Sequence, residues 1–258
     1  MRTLTPVLTA VALCVGAANV SQAADDLTII SKDTTNGKPS GVSTQYISSD
    51  YMRVSTPGGG TIFDLKNGVT TTLDDTDKTY FVTTKRDIEA MGALFAEKMK
   101  DPKMKQGMAM MQGMGGSMAE STAVTKTGET RKVAGFKCDV WKISSGGGTM
   151  TTTECVTNDL KYPVGTWTAF TEYGDAMRKA MSGFGPSADA AKQLADKMKV
   201  IKGFPVATSI LIAVAGMKQA TDSEVTEVRH TPIPASTWAV PAGYKKIENP
   251  TMQALAKH

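Results

Sequence analysis

The sequence predicts a mainly β (α+β) protein: a curved, incompletely closed antiparallel sheet with helices covering one face. Three observations carry this. Short runs rich in Thr, Val, Ile and Tyr recur along the chain, and these residues suit a pleated, half-buried surface. Gly-containing turn signals separate the runs, so neighbouring strands connect tightly and pair antiparallel. Two stretches instead space their apolar residues by three and four, the period of an amphipathic helix.

The elements follow in order. Residues 1–23 read as a secretory signal: Arg2 gives the positive start and Val7 to Gly16 an apolar stretch too short to span a bilayer. Ser21-Gln22-Ala23 ends in the small–x–small pattern of a cleavage site, which puts the cut between Ala23 and Ala24. Cys14 is a poor lipidation site, because Leu13 stands where a small residue is needed. The expectation is a periplasmic or secreted chain, 24–258 forming a single β-rich domain.

Strands are expected at 27–31, 42–47, 51–55, 61–65, 69–73 and 79–83, with tight hairpins at Asn36-Gly37 and Asn67-Gly68 and a looser turn at Pro57-Gly58-Gly59-Gly60. Asp74-Asp75-Thr76-Asp77 lacks the Gly and distal Glu of a calcium loop and reads as a solvated turn. Ile88, Met91, Phe95 and Met99 then mark a helix over 86–100, with Thr84 and Asp87 spaced as a cap. Five further strands are expected at 123–131, 136–143, 150–156, 206–217 and 223–230. Phe170, Tyr173, Met177, Met181 and Phe184 place a helix over 166–183, and a second stripe places one over 187–199. The helices thus fall in two insertions, near 86–118 and 158–203. The longest apolar run, Val206 to Met217, is too short to span a membrane.

Cys138 and Cys155 lie on two strands joined through Ser145-Gly146-Gly147-Gly148. If Ser144 pairs with Thr149, residue 138 falls opposite 155, within disulfide reach. An exported location favours oxidation. The pair lacks the C-x-x-C spacing of a redox site.

Composition and motifs bound the function. The net charge of +4 is too small to argue for nucleic acid. Two His leave little room for a His-based triad or a His-rich metal site, and His230 reads as a structural residue at a strand end. There is no G-x-x-x-x-G-K-[ST], H-E-x-x-H or G-x-S-x-G. No catalytic residue and no cofactor is nominated, and the expectation is a non-enzymatic binding protein. An apolar or lipid ligand between sheet and helices would be lined by Ile88, Met91, Phe95, Met99, Phe170, Tyr173, Met177 and Met181; a dry core explains the same residues. The alternative uses the methionine-rich segment. Met104, Met108, Met110, Met111, Met114 and Met118 are soft thioether ligands at close spacing, suited to Cu(I). Packing explains them too, because Met fills irregular gaps. A structural role bound to an envelope protein is the remaining reading.

Three stretches carry a resemblance: Asp77-Lys78-Thr79-Tyr80; Thr127-Gly128-Glu129-Thr130 followed by Val133-Ala134-Gly135-Phe136-Lys137-Cys138-Asp139-Val140-Trp141; and Trp238-Ala239-Val240-Pro241-Ala242-Gly243-Tyr244. In this order and spacing they resemble the secreted bacterial proteins of domain of unknown function 4412. The resemblance implies no catalytic residues. Its sheet pattern is similar to that of periplasmic lipoprotein-localisation carriers, which implies a concave sheet able to hold acyl chains.

Overall fold

The computed structural model describes residues 26–98, 100–101, 121–163, 166, 168, 171–174, 193, 196–214 and 217–256. The cleavage site Ala23–Ala24 lies outside them, as do Met99, Phe170, Met177, Met181 and the methionines Met104, Met108, Met110, Met111, Met114 and Met118.

The chain builds β1 (Leu27–Thr35), β2 (Lys38–Ile47), β3 (Tyr51–Thr56), β4 (Gly59–Asp64), β5 (Val69–Asp74), β6 (Thr79–Thr83) and α1 (Lys85–Lys98). It continues with β7 (Ala123–Val133), β8 (Phe136–Ser145), β9 (Met150–Thr157), β10 (Phe204–Val214), β11 (Met217–Arg229), β12 (Lys245–Lys246) and α2 (Pro250–Ala256). Among the described residues, twelve strands form one sheet in the order β12-β6-β5-β4-β3-β2-β1-β11-β10-β9-β8-β7. It is two meanders, β1 to β6 and β7 to β11, joined where β1 pairs with β11. The sheet is open: β7 and β12 end it without pairing to each other.

Turn chemistry sets the hairpins. Asn36 and Gly37 both take positive φ, 51° and 73°, the two-residue turn that strand twist favours. The other two expected turns differ. Thr56 pairs with Gly59, so only Pro57 and Gly58 form that loop, which is tight rather than loose. Asp64 pairs with Val69 across a four-residue loop, because the Asp64 carboxylate accepts from the Asn67 backbone and side-chain amides and holds the wider turn. The Asp74 carboxylate likewise accepts from the amides of Thr76 and Asp77, the solvated turn expected there.

Three strand expectations need correction. The run 206–217 is not one strand: Val214 pairs with Met217, so the run folds back on itself and β11 begins six residues before position 223. β12 is an additional strand and pairs parallel to β6, because the chain after β11 crosses the sheet before reaching that edge. The β8–β9 register also differs. Ser145 pairs with Met150 and Val140 lies opposite Cys155, because Gly146–Gly148 form a 3-10 turn closed by Thr149 N–H to Gly146 O. The Cys138–Cys155 disulfide forms nonetheless, across a diagonal, with Cα atoms 5.2 Å apart. Diagonal neighbours usually stand about 7–8 Å apart. The approach reflects strong coiling of the sheet here.

That coiling has a second mark. β7 and β11 are four strand steps apart, roughly 19 Å on a flat sheet. Yet Arg131 on β7 reaches Glu224 on β11 at 3.1 Å. Strands β7 to β11 therefore curl almost shut over Val133, Cys138, Val140, Cys155 and Ala207, which join the main core of Leu27, Ile29, Ile47, Phe204, Val206 and Val225.

Both faces of the β1–β6 meander are covered in part. Ile47, Met52, Phe63 and Thr70 form one cross-strand row. Tyr173 lies on it, its hydroxyl bonded to Thr70 and its ring edge-on to Phe63 at 6.0 Å. Thr166 donates to Ser48 O at 2.6 Å beside it. On the opposite face Trp238 stacks on Tyr51 at 5.5 Å, and Arg53 donates to Thr237 O at 2.8 Å. A full helical cover of one face is not what the described residues form. Their helices are few and short, and α1 packs against α2 at the β6–β12 edge.

Candidate ligand cavities

The reading of α1 as an amphipathic, capped helix holds at its start. Thr84 N–H and Oγ1 both donate to the Asp87 carboxylate, at 2.8 and 2.7 Å, and Asp87 N–H donates to Thr84 Oγ1 at 3.2 Å. This reciprocal cap satisfies amide groups that a helix start leaves open. The bond from the Thr84 backbone, then that from its hydroxyl, hold the Asp87 carboxyl below its ordinary pKa.

The cap fixes which faces α1 presents. Asp87 and Leu94, seven residues apart, share one face. They line an open cleft of about 640 Å³ at the sheet edge, together with Val82, Thr84 and the C-terminal residues Lys246, Ile247, Glu248, Asn249, Met252 and Gln253. Two backbone bonds hold the far wall: Lys245 N–H to Lys78 O at 2.9 Å and Ile247 N–H to Tyr80 O at 2.8 Å. Asn249 then caps α2, accepting from Thr251 N–H at 2.9 Å, and its side chain donates to Thr83 Oγ1 at 3.0 Å. Val82, Leu94, Ile247 and Met252 give the cleft its apolar lining.

Ile88 faces the other way. It is buried and shares a second cavity, about 200 Å³, with Leu65, Lys85, Glu172 and Tyr173. Of the eight lining residues expected from the sequence, the structure brings Ile88 and Tyr173 together. Met91 and Phe95 are half-buried on α1 and line neither cavity. Of the stripe, Ile88 meets the smaller cavity, and the neighbouring face, with Leu94, meets the larger space. Ile247 and Met252 had a legible signal that was missed: Asn249-Pro250 is the Asn cap followed by Pro at the first helical position.

The first and last of the family-like stretches meet in space. Tyr244 bonds Asp75 through its hydroxyl, and Lys78 lies 5.2 Å from the Tyr244 ring centre. The V-P-x-G-Y segment thus pins the cleft's far wall to the β5–β6 hairpin. Trp141 is half-buried beside Lys126, 6.0 Å from its ring centre, and opposite Glu154. Burial pushes the Glu154 carboxyl above its ordinary pKa. His230 is exposed just past β11. No group of three or more His, Cys, Asp or Glu that could hold a metal occurs among the described residues. No described helix is long and apolar enough to cross a membrane.

The family model described as Domain of unknown function (DUF4412) matches residues 91–244. No curated protein matches the chain. Among solved structures, a crystal form of PNGF-II aligns with 91% of this chain and 33% of its own, at 12% identity and a TM-score of 0.42. The chain thus spans about a third of PNGF-II's length. An uncharacterized conserved protein from Thermus thermophilus aligns with 88% of this chain and 91% of its own, at 8% identity and a TM-score of 0.43. The likeness to lipoprotein-localisation carriers gains no support from these structures.

Proposed function

The chain belongs to the DUF4412 family, and from that premise we propose that it is an exported, non-enzymatic binding protein that takes an apolar ligand in the cleft between α1, the β6–β12 edge and α2. The observation that carries this is the cleft itself. Its volume of about 640 Å³ is of the size small-molecule sites have, and its walls combine apolar side chains with a few polar ones. Export is supported by the signal-like first 23 residues and agrees with the disulfide. The Cu(I) reading rests on sequence alone.

The test is binding of a fluorescent fatty-acid analogue to purified protein, with native mass spectrometry of protein taken from the periplasm. Saturable binding is expected, and Leu94→Trp or Met252→Trp should weaken it by filling the cleft. No binding by the wild type, or equal binding by both variants, would overturn the reading.

A further inference from the structure

We propose that the mouth of the curl formed by β7 to β11 is a second ligand site, built for a small zwitterion of the α-amino acid class. The curl comes close to a five-stranded barrel: Cα atoms of β7 approach those of β11 within 8 Å. Ligand sites occur preferentially in the mouths of such barrels. A cavity of about 210 Å³ opens here, with Val140, Cys155 and Ala207 in its lining. Its polar lining includes Arg131, Thr153, Ser209, Asp222 and Glu224.

The register explains this arrangement. Val140, Cys155, Ala207 and Glu224 are successive partners across four strands, so they form one row on one face. Thr153, Ser209 and Asp222 form the next row on that face, two residues toward Val214 and Met217. The short side chains of Cys155, Ala207 and Ser209 leave the concave face unfilled. Arg131 reaches over from β7 to Glu224 and bounds the cavity on the other side.

The polar groups are held in place with bonding capacity to spare. Asp222 accepts from Thr34 Oγ1 through Oδ2, at 3.1 Å. Among the described residues no cation pairs with Asp222, and neither Ser209 nor Thr153 makes a side-chain hydrogen bond. A primary ammonium has three donors, and this row offers three acceptors side by side. Arg131 gives Nη2 to Glu224 Oε2 at 3.1 Å, which uses one of the five donors of a guanidinium. The remaining donors suit a carboxylate, the partner Arg binds best.

Charge and size narrow the ligand. Lys32 and Lys142 are exposed and are the register partners of Glu224 and Thr153, on the same face. With Arg131, Asp222 and Glu224 they set three cations and two anions around the mouth. Lys126, Asp139 and Glu154 belong to the opposite face, and Glu227 is paired with Arg229. Neither sign dominates, so a ligand of one sign is repelled from one side, whereas a zwitterion matches both. The cavity is smaller than the roughly 300–1,000 Å³ of pockets for drug-sized ligands, which suits a single amino acid whose short apolar side chain rests on Val140, Cys155 and Ala207. This cavity shares no lining residue with the α1–α2 cleft, so the proposal is independent of the reading given there.

The experiment is calorimetric titration of the full chain with L-alanine, L-valine and two analogues of valine: isobutylamine, which lacks the carboxylate, and isovalerate, which lacks the ammonium. Saturable binding of alanine or valine is expected, and each analogue should bind roughly tenfold or more weakly, as loss of a charged hydrogen bond implies. Asp222→Asn should weaken valine and isobutylamine and leave isovalerate unchanged. Arg131→Gln should weaken valine and isovalerate and leave isobutylamine unchanged. No saturable binding of alanine or valine by the wild type, or an analogue that binds as tightly as valine, would overturn the proposal, and so would a variant that lowers the affinity of all ligands alike.

Discussion

Arg131 on β7 and Glu224 on β11 meet at 3.1 Å across four strand steps, a measure of how tightly that side of the sheet curls. The pair marks the curl more than it holds it. Both side chains are about half exposed, and exposed ion pairs contribute about 0.2–1 kcal/mol. Arg131→Ala with Glu224→Ala in a double-mutant cycle should give a coupling within that range, falling with salt. A coupling well above roughly 1 kcal/mol would mean the pair closes the curl.

The disulfide carries more. Cys138→Ser/Cys155→Ser should cost about 3 kcal/mol in urea unfolding, the size expected for a loop with a sequence separation of 17. The oxidised native protein should show no thiol at either position by mass-spectrometric labelling.

Asp87 links pH to the cleft. Its folded pKa lies below the unfolded value of 3.8, so its stabilisation is present above pH 3.8 and is lost as pH falls through the folded pKa. Asp87→Ala should cost about 1 kcal/mol at neutral pH, as loss of a helix cap does, and nothing once the carboxyl is protonated in both states. Thermal melts of the two proteins from about pH 7 downward should converge; parallel curves would contradict the cap.

Glu154 has the opposite sign. Burial raises its folded pKa above 4.5, so its protonated form favours the folded chain below pH 4.5 and that advantage is lost as pH rises through the folded pKa. Glu154→Gln should therefore raise the Tm by a few degrees at about pH 7 and leave it unchanged in acid. An unchanged or lower Tm at neutral pH would show that the charge is compensated.

The strands were legible because their signals are local. Asn36-Gly37 dictates its turn, and Thr84 with Asp87 dictates the start of α1. The register of β8 against β9 was not legible. It depends on how Gly146, Gly147 and Gly148 turn, and three glycines permit several closures. The parallel β12 was missed because two lysines carry no strand pattern; only the backbone bonds to Lys78 and Tyr80 place that strand. Which side of α1 meets the cleft depends on α2, a short helix whose apolar face means little until its neighbour is known.

The seam between β1 and β11 orders the assembly in time. Apart from the β9–β10 pairing, which spans residues 158–203, each meander closes through hairpins between sequence neighbours, whereas Thr28 must find Arg229. Contacts of such separation form late, because chain closure has to precede them. The first strand after the signal-like segment thus waits, one edge unpaired, until nearly the whole chain has emerged. An unpaired strand edge invites association with other chains. In pulse-labelled hydrogen exchange during refolding, the amides bridging β1 and β11 should gain protection after those within either meander, and simultaneous protection would refute this order.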